Sequence, residues 1–448
     1  MKIRFLTHNP GNRSLILIFA GWSTGPELYQ DAGMNGWDVA VVYDYSDTSL
    51  DVSFLDSYPT VWLFAWSLGV RMASVSLPPQ KITAAFAING TLNPVDNSLG
   101  IPEAIYNGTA SALDGRNLAK FRRRMSPDAE TYRRLFDREF SQSEIEDLRS
   151  QLYSIRDLKS CACRLPWQRA FISVNDRIFP PDNMMAAWQK EKVETVSLEG
   201  AHYLPMESIV KAVVPDRDLI AERFGKAVTS YDEHAVAQKH IATALAGLMP
   251  ESAADTAKSI LEIGPGTGLF SGIYAEKIAP GKIDFVDIAE IPRIGIAPEE
   301  NYHRADAEDW IASCNSRYDG ILSASTIQWF VNIGEFMRNC RRSLKPGGFV
   351  LFSSFTKGNL KELDALRPSP ICYHTPEQYR RWMQESFSAV RVIEDSITLE
   401  FKSPRELLMH LKLTGVGGSA PSPGITPSAL KGMTSITYKP IYMAGIRK

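Results

Sequence analysis

The stretch "LFAWSLGV", Leu63 to Val70, decides how the first half of this chain is read. An apolar run ends in Ala65-Trp66-Ser67-Leu68-Gly69, close to the G-x-S-x-G elbow that lifts a serine hydroxyl onto a strand-to-helix turn. Such an elbow needs small residues on both sides, because the strained turn packs the incoming helix against the strand. Ala65 stands where the first glycine would, at a cost of one methyl group, while Gly69 keeps the second position. The pattern predicts a strand ending near Trp66, a helix beginning near Leu68, and a nucleophile at Ser67 between them.

On either side of the elbow, short apolar runs alternate with helical patterns. "SLILIFAG", "WDVAVVYDY", "TVWLFAWS", "ITAAFAING", "RAFISVND" and "VETVSLEGAH" read as strands of a mostly parallel sheet. A helical, charged stretch from about residue 93 to 163 interrupts this rhythm and reads as an inserted cap.

A serine hydroxyl attacks only when a base removes its proton, and the base needs an acid to orient it. In α/β-hydrolases the chain order is Ser, then Asp or Glu, then His. "FISVNDRIFPP" puts Asp176 just past one strand and "VSLEGAHYLPM" puts His202 just past the next. Backbone N–H groups of Leu68 and of Trp22, in the loop "FAGWSTG", are the expected oxyanion hole, with Gly21 allowing close approach.

A second α/β unit follows "VVPDRDLIAERFG", with the boundary near Val214 to Asp218. "SILEIGPGTG", "KIDFVDIA", "YDGILSAS" and "GGFVLFSSF" read as its central strands. In "LEIGPGTGLF" the glycines Gly264, Gly266 and Gly268 follow a G-x-G-x-G spacing, not the G-x-G-x-x-G of dinucleotide binders. Asp287 lies 19 residues after Gly268, placed to accept hydrogen bonds from ribose hydroxyls, and Asp306 closes another short strand near where an adenine would lie. Glu262, the glycines, Asp287 and Asp306 in series resemble the class I S-adenosylmethionine-dependent methyltransferases.

The bulk numbers set bounds. With 448 residues the chain has room for two or three domains. A net charge of −2 gives no basic field for nucleic acid. The "LILIF" run is far shorter than the ~20 apolar residues of a membrane span. It lacks a signal-peptide cleavage pattern, so the cytoplasm is the default expectation. Five cysteines, of which only Cys161 and Cys163 are close, argue for free thiols and against a metal site. "GVGGSAPSPGITPS", Gly415 to Ser428, reads as a loop.

Both halves resemble known families. "ERFGKAVTSYDEHAVAQ", "SASTIQWF" and "ELLMHLKLTGVG" are similar to the malonyl-acyl-carrier-protein O-methyltransferases of biotin synthesis. The first ~210 residues, with a Trp-Ser-Leu-Gly elbow and an Ala-Gly-Trp loop, resemble the pimeloyl-acyl-carrier-protein methyl ester esterases of compact α/β-hydrolase type. The chain thus looks like a natural fusion. It implies an α/β-hydrolase with a helical cap over 1–214, and a Rossmann-like class I methyltransferase over 219–448.

The resemblance implies S-adenosylmethionine as methyl donor, no metal, and acyl carrier protein bearing malonyl or pimeloyl methyl ester as partner. It also implies an active-site role for Tyr231, which would close the pocket and orient the acceptor carboxylate. Carrier proteins are acidic, so Arg122, Arg123, Arg124, Arg133 and Arg134 of the cap are candidates for docking them, with Arg138 nearby. Two other readings remain open: a methyltransferase fused to a non-catalytic carrier-binding module, or a general esterase fused to a small-molecule methyltransferase.

Overall fold

A computed structural model describes residues 1–158, 164–227, 234–364, 366, 369, 371–414, 429–430 and 432–448. The chain divides into two units, Met1–Ala212 and Val213–Lys448.

In the first unit seven strands form one sheet: β1 Lys2–Thr7, β2 Ser14–Phe19, β3 Trp37–Tyr43, β4 Thr60–Trp66, β5 Ala84–Ile88, β6 Trp167–Ser173 and β7 Glu194–Leu198. Their order is β1-β3-β2-β4-β5-β6-β7. β2 to β7 pair in parallel, and β1 is antiparallel to β3. The central strands are covered on both faces, which is why "SLILIF" and "TVWLFAW" are buried at every position instead of alternating. The sequence reading left out β1, an edge strand whose charged Lys2 and Arg4 face solvent.

Between β5 and β6 the chain leaves the sheet for three main helices, Glu103–Ser111, Gly115–Met125 and Gln142–Asp157. The second starts on an Asp114 cap, whose side chain accepts from Asn117 N. The third starts on a reciprocal capping box between Ser141 and Glu144.

The second unit carries a Rossmann-like sheet. Its strands are β8 Ser259–Ile263, β9 Lys282–Asp287, β10 Glu299–Arg304, β11 Tyr318–Ser323, β12 Leu344–Phe355 and β13 Ser388–Glu394. After a small antiparallel pair, β14 Ile397–Glu400 and β15 Ser435–Tyr438, the chain returns as β16 Pro440–Ile446. The order is β10-β9-β8-β11-β12-β16-β13, with β16 antiparallel to both neighbours.

At the centre of each sheet the strand order changes direction, between β2 and β4 in the first and between β8 and β11 in the second. The loops after these strands diverge to opposite faces and leave a crevice at the carboxyl ends of the strands. Both candidate sites lie in such crevices.

Candidate active sites

Ser67 sits between β4 and the helix Leu68–Ser76, at φ 59° and ψ −127°. Few non-glycine residues adopt such a backbone, and it persists only where the surroundings force it. Two glycines supply the force. A Cβ at Gly69 would lie 2.6 Å from the carbonyl oxygens of Phe19 and Ala20, and one at Gly90 would lie 2.3 Å from the carbonyl oxygen of Ser67. Ala65 lies within buried β4, where its methyl group is accommodated.

The structure brings Ser67, Asp176 and His202 together. His202 Nε2 lies 2.9 Å from Ser67 Oγ, and His202 Nδ1 lies 2.7 Å from Asp176 Oδ2. The other carboxylate oxygen of Asp176 accepts from the backbone N–H groups of Ile178, at 2.7 Å, and Phe179, at 3.0 Å. The Phe179 ring stacks on the imidazole. All three polar residues are buried.

Sequence reasoning missed the support behind His202. Asn89 Nδ2 donates to the carbonyl of His202 at 2.8 Å and to Ser173 Oγ at 2.8 Å, while Asn89 Oδ1 accepts from Ser173 N at 2.7 Å. Trp66 Nε1 donates to the same His202 carbonyl at 2.9 Å. The available signal was "AING" itself, a buried polar residue and a glycine ending an apolar strand.

A cavity of about 470 Å³ opens on Ser67, with Trp22 and Leu68 in its wall. Ile105, Tyr106 and Phe121 of the cap and Leu152 make the rest largely apolar. Trp22 is anchored by its indole N–H to the carbonyl of Leu148 at 3.1 Å, and a Cβ at Gly21 would lie 2.6 Å from the Trp66 ring.

Among the docking candidates Arg122 requires correction. It is 5% exposed, donating to Phe136 O at 2.8 Å and to Ser23 O at 2.7 Å, with its guanidinium over the Phe140 ring. It pins the cap to the loop after β2 and offers nothing to a partner. The apolar spacing Leu118, Arg122, Met125 on one helix face was the overlooked sign. Arg123, Arg124, Arg133 and Arg134 are exposed, and Arg124 reaches the rim of the Ser67 cavity with Arg177.

The second crevice is a cleft of about 1190 Å³, counted to its open mouth. Gly264, Gly266, Asp287 and Asp306 line it, under a cover from Arg217 and Phe224 of the helix Arg217–Ala227. Gly264, Gly266 and Gly268 have φ of 65°, 57° and 86°. A Cβ at Gly264 would sit 2.2 Å from Thr326 Oγ1. Asp287 braces the loop by accepting from Gly266 N at 3.2 Å and Ala289 N at 2.9 Å. Burial pushes its carboxyl above the usual range.

Two expectations change here. Glu262 does not line the cleft. It is 1% exposed and its Oε2 accepts from Ser271 Oγ and Tyr274 OH, both at 2.7 Å, so it ties the strand to the helix Leu269–Ala275 beneath the glycine loop. Burial pushes its carboxyl up to about 7, although the two hydroxyls oppose the rise. Asp306 does reach the cleft, but its Oδ2 pairs with Arg217 Nε at 2.9 Å and its Oδ1 caps the helix Ala307–Ser313. Tyr231 lies outside the described residues.

Comparison with known proteins matches this division. Residues 1–209 fit the family model described as pimeloyl-ACP methyl esterase BioG, and residues 233–386 fit a methyltransferase domain. The chain is 32% identical to a malonyl-acyl-carrier-protein O-methyltransferase of Bacteroides fragilis (strain 638R), over 97% of this chain and 93% of that one. The chain belongs to the malonyl-acyl-carrier-protein O-methyltransferase family. A family member from Haemophilus ducreyi is 33% identical over 52% of this chain and 97% of its own length. The crystal structure of BioG from Haemophilus influenzae is 33% identical, covers 46% of this chain and 94% of that one, and superposes with a TM-score of 0.42.

Thus this family member carries a BioG domain ahead of its methyltransferase domain. Among the described residues no helix is long and apolar enough to cross a membrane.

Proposed function

We propose that the chain is a bifunctional enzyme of biotin synthesis. The second unit methylates the free carboxylate of malonyl-acyl-carrier protein using S-adenosylmethionine. The first unit, an α/β-hydrolase, hydrolyses pimeloyl-acyl-carrier-protein methyl ester to pimeloyl-acyl-carrier protein and methanol. The hydrogen-bonded series Ser67–His202–Asp176 at a strained elbow is the observation that carries the esterase half.

In the esterase His202 takes the proton of Ser67 as the hydroxyl attacks the ester carbonyl. Asp176 holds the imidazole in the tautomer that leaves Nε2 free, and faces the positive charge that forms on the ring. The N–H groups of Leu68 and Trp22, residues that line the Ser67 cavity, stabilise the developing oxyanion in this reading. His202 then protonates departing methanol, and water, deprotonated by the same residue, releases the acid. The apolar walls from Ile105, Tyr106, Phe121 and Leu152 suit a chain of methylenes. Arg123, Arg124, Arg133 and Arg134 give the cap a basic rim for an acidic carrier.

In the methyltransferase unit the glycine loop lets backbone approach a nucleoside ligand, and Asp287 has lone pairs for ribose hydroxyls. Asp306 stands at the adenine end. The bound donor supplies an electrophilic methyl group on a sulfonium. A malonyl carboxylate is ionised at neutral pH, so this chain needs no general base for it. Its task is to desolvate and align the acceptor.

The test is the Ser67→Ala chain assayed for both reactions. Methanol release from pimeloyl-carrier methyl ester is expected to vanish while methylation of malonyl-carrier continues unchanged. Persistent hydrolysis would remove Ser67 as nucleophile. Equal methylation of free malonate and malonyl-carrier would remove the carrier from the reading.

A further inference from the structure

A smaller cavity of about 440 Å³ adjoins the cleft of the second unit. Phe224, Gln238, Ser325 and Trp329 line both. The smaller cavity continues past them to Asn359, Tyr373 and Tyr438. Among the described residues no Lys, Arg or His lines it.

Its polar groups are unusual in what they lack. The indole Nε1 of Trp329 and the Oε1 atoms of Gln238 and Gln328 are buried with no hydrogen-bond partner among the described residues. Gln238 is only 6% exposed. An indole N–H can only donate, and leaving one buried and unpaired costs about 1–3 kcal/mol. Such a group calls for an explanation, and a ligand oxygen supplies one.

The loop that presents Trp329 is firmly held. Ser325 takes φ 53° and donates its N–H to Ser353 Oγ at 2.9 Å. Gln328 Nε2 donates to the carbonyl of Ser325. The backbone that carries the indole is therefore held before any ligand arrives, and the ring packs edge-on against Phe224.

We propose that this cavity is the acceptor site, in which the Trp329 N–H, the buried donor without a partner, donates to the carboxylate of the acyl group to be methylated, and Gln238, between cavity and cleft, adds a donor through its side-chain NH2 while its unpaired Oε1 faces away from the anion. This rests on the carboxyl-methylation reading above. Methyl transfer removes two opposite charges. The carboxylate oxygen's lone pair forms the O–C bond as the S–C bond of the sulfonium donor breaks, its electron pair staying on sulfur. A neutral ester and a neutral thioether result, and no proton moves. A fixed cation would stabilise the charge that the reaction must consume, whereas neutral donors orient the carboxylate and leave it reactive. A site enclosed between the cleft and this uncharged cavity also strips water from the nucleophile.

The test uses the full chain with Trp329→Phe and, separately, Gln238→Leu. S-adenosylhomocysteine binding by calorimetry is expected within about twofold of wild type, while KM for malonyl-carrier rises about tenfold, as loss of one hydrogen bond to a charged group predicts. Weakened S-adenosylhomocysteine binding in proportion to lost kcat/KM would assign the N–H to the methyl donor and overturn the proposal. Unchanged kcat/KM in both variants would overturn it too. If Trp329→Phe unfolds, Gln238→Leu decides by the same two outcomes. A wild-type chain that does not methylate malonyl-carrier at all would instead sink the functional reading, which keeps the two failures distinct.

Discussion

Asn89 Nδ2 donates to the backbone carbonyl of His202 across 2.8 Å, linking the end of β5 to the residue that faces Ser67. The same side chain bonds both the backbone N–H and the hydroxyl of Ser173 at the end of β6. Among the described residues no side-chain hydrogen bond joins Asn89 to Ser67, so Asn89 acts by positioning. Asn89→Ala is expected to lower kcat for ester hydrolysis about 10- to 100-fold with KM nearly unchanged, because a misplaced base affects the transition state more than binding. Steady-state kinetics on a pimeloyl methyl ester substrate provide the check.

Gly90 tests the elbow from the other side. An added Cβ would meet the Ser67 carbonyl oxygen at 2.3 Å, and backbone cannot yield as a flexible side chain can. Gly90→Ala is expected to destabilise the first unit by about 2–4 kcal/mol and to abolish hydrolysis. Methyl transfer by the second unit should survive. Thermal unfolding followed alongside both assays would show whether the damage stays in one unit.

Two neighbouring arginines separate structure from docking. Arg122→Ala removes a buried guanidinium bonded to two carbonyls and is expected to lower stability by about 2–4 kcal/mol. Arg124→Ala leaves stability unchanged and raises KM for the carrier-linked ester several-fold, an effect that shrinks as salt screens the charge. A salt titration of kcat/KM distinguishes them. If Arg124→Ala alters neither KM nor its salt dependence, the basic rim has no part in docking.

Glu262 gives a pH dependence with a definite sign. Its folded-state pKa of about 7 lies above the ordinary 4.5, because burial disfavours the charged form. Stability linked to the protonated carboxyl is complete below pH 4.5 and is lost as pH rises through about 7. Glu262→Gln carries no such penalty. Its melting temperature relative to wild type should therefore rise between pH 5 and pH 8, measured by calorimetry. A constant difference across that range would contradict the assigned cause.

The sequence disclosed the two sites unevenly. Ser67, Asp176 and His202 were legible because each had to follow a strand, in an order that the chemistry fixes. The glycine loop was legible because its positive φ values leave only one comfortable residue type. Glu262 was misplaced because a carboxylate beside a glycine loop reads as a ligand group, while its true partners, Ser271 and Tyr274, come from the following helix. Arg122 was misplaced because a run of arginines reads as a solvent-facing surface, while helical spacing turns one of them inward.

What the sequence determined by itself was local: alternating apolar runs, the elbow, the glycine turn, and the types of residue at strand ends. Those features follow from backbone sterics and hydrophobic periodicity, which act over a few residues. Only the tertiary structure decided which polar groups meet and which stay unpaired. Asn89 finds His202 across 113 residues, and Trp329 and Gln238 are left facing a shared cavity. Hydrogen-bond satisfaction belongs to the packed whole, because burial denies water to every group at once and leaves only the neighbours that the fold supplies.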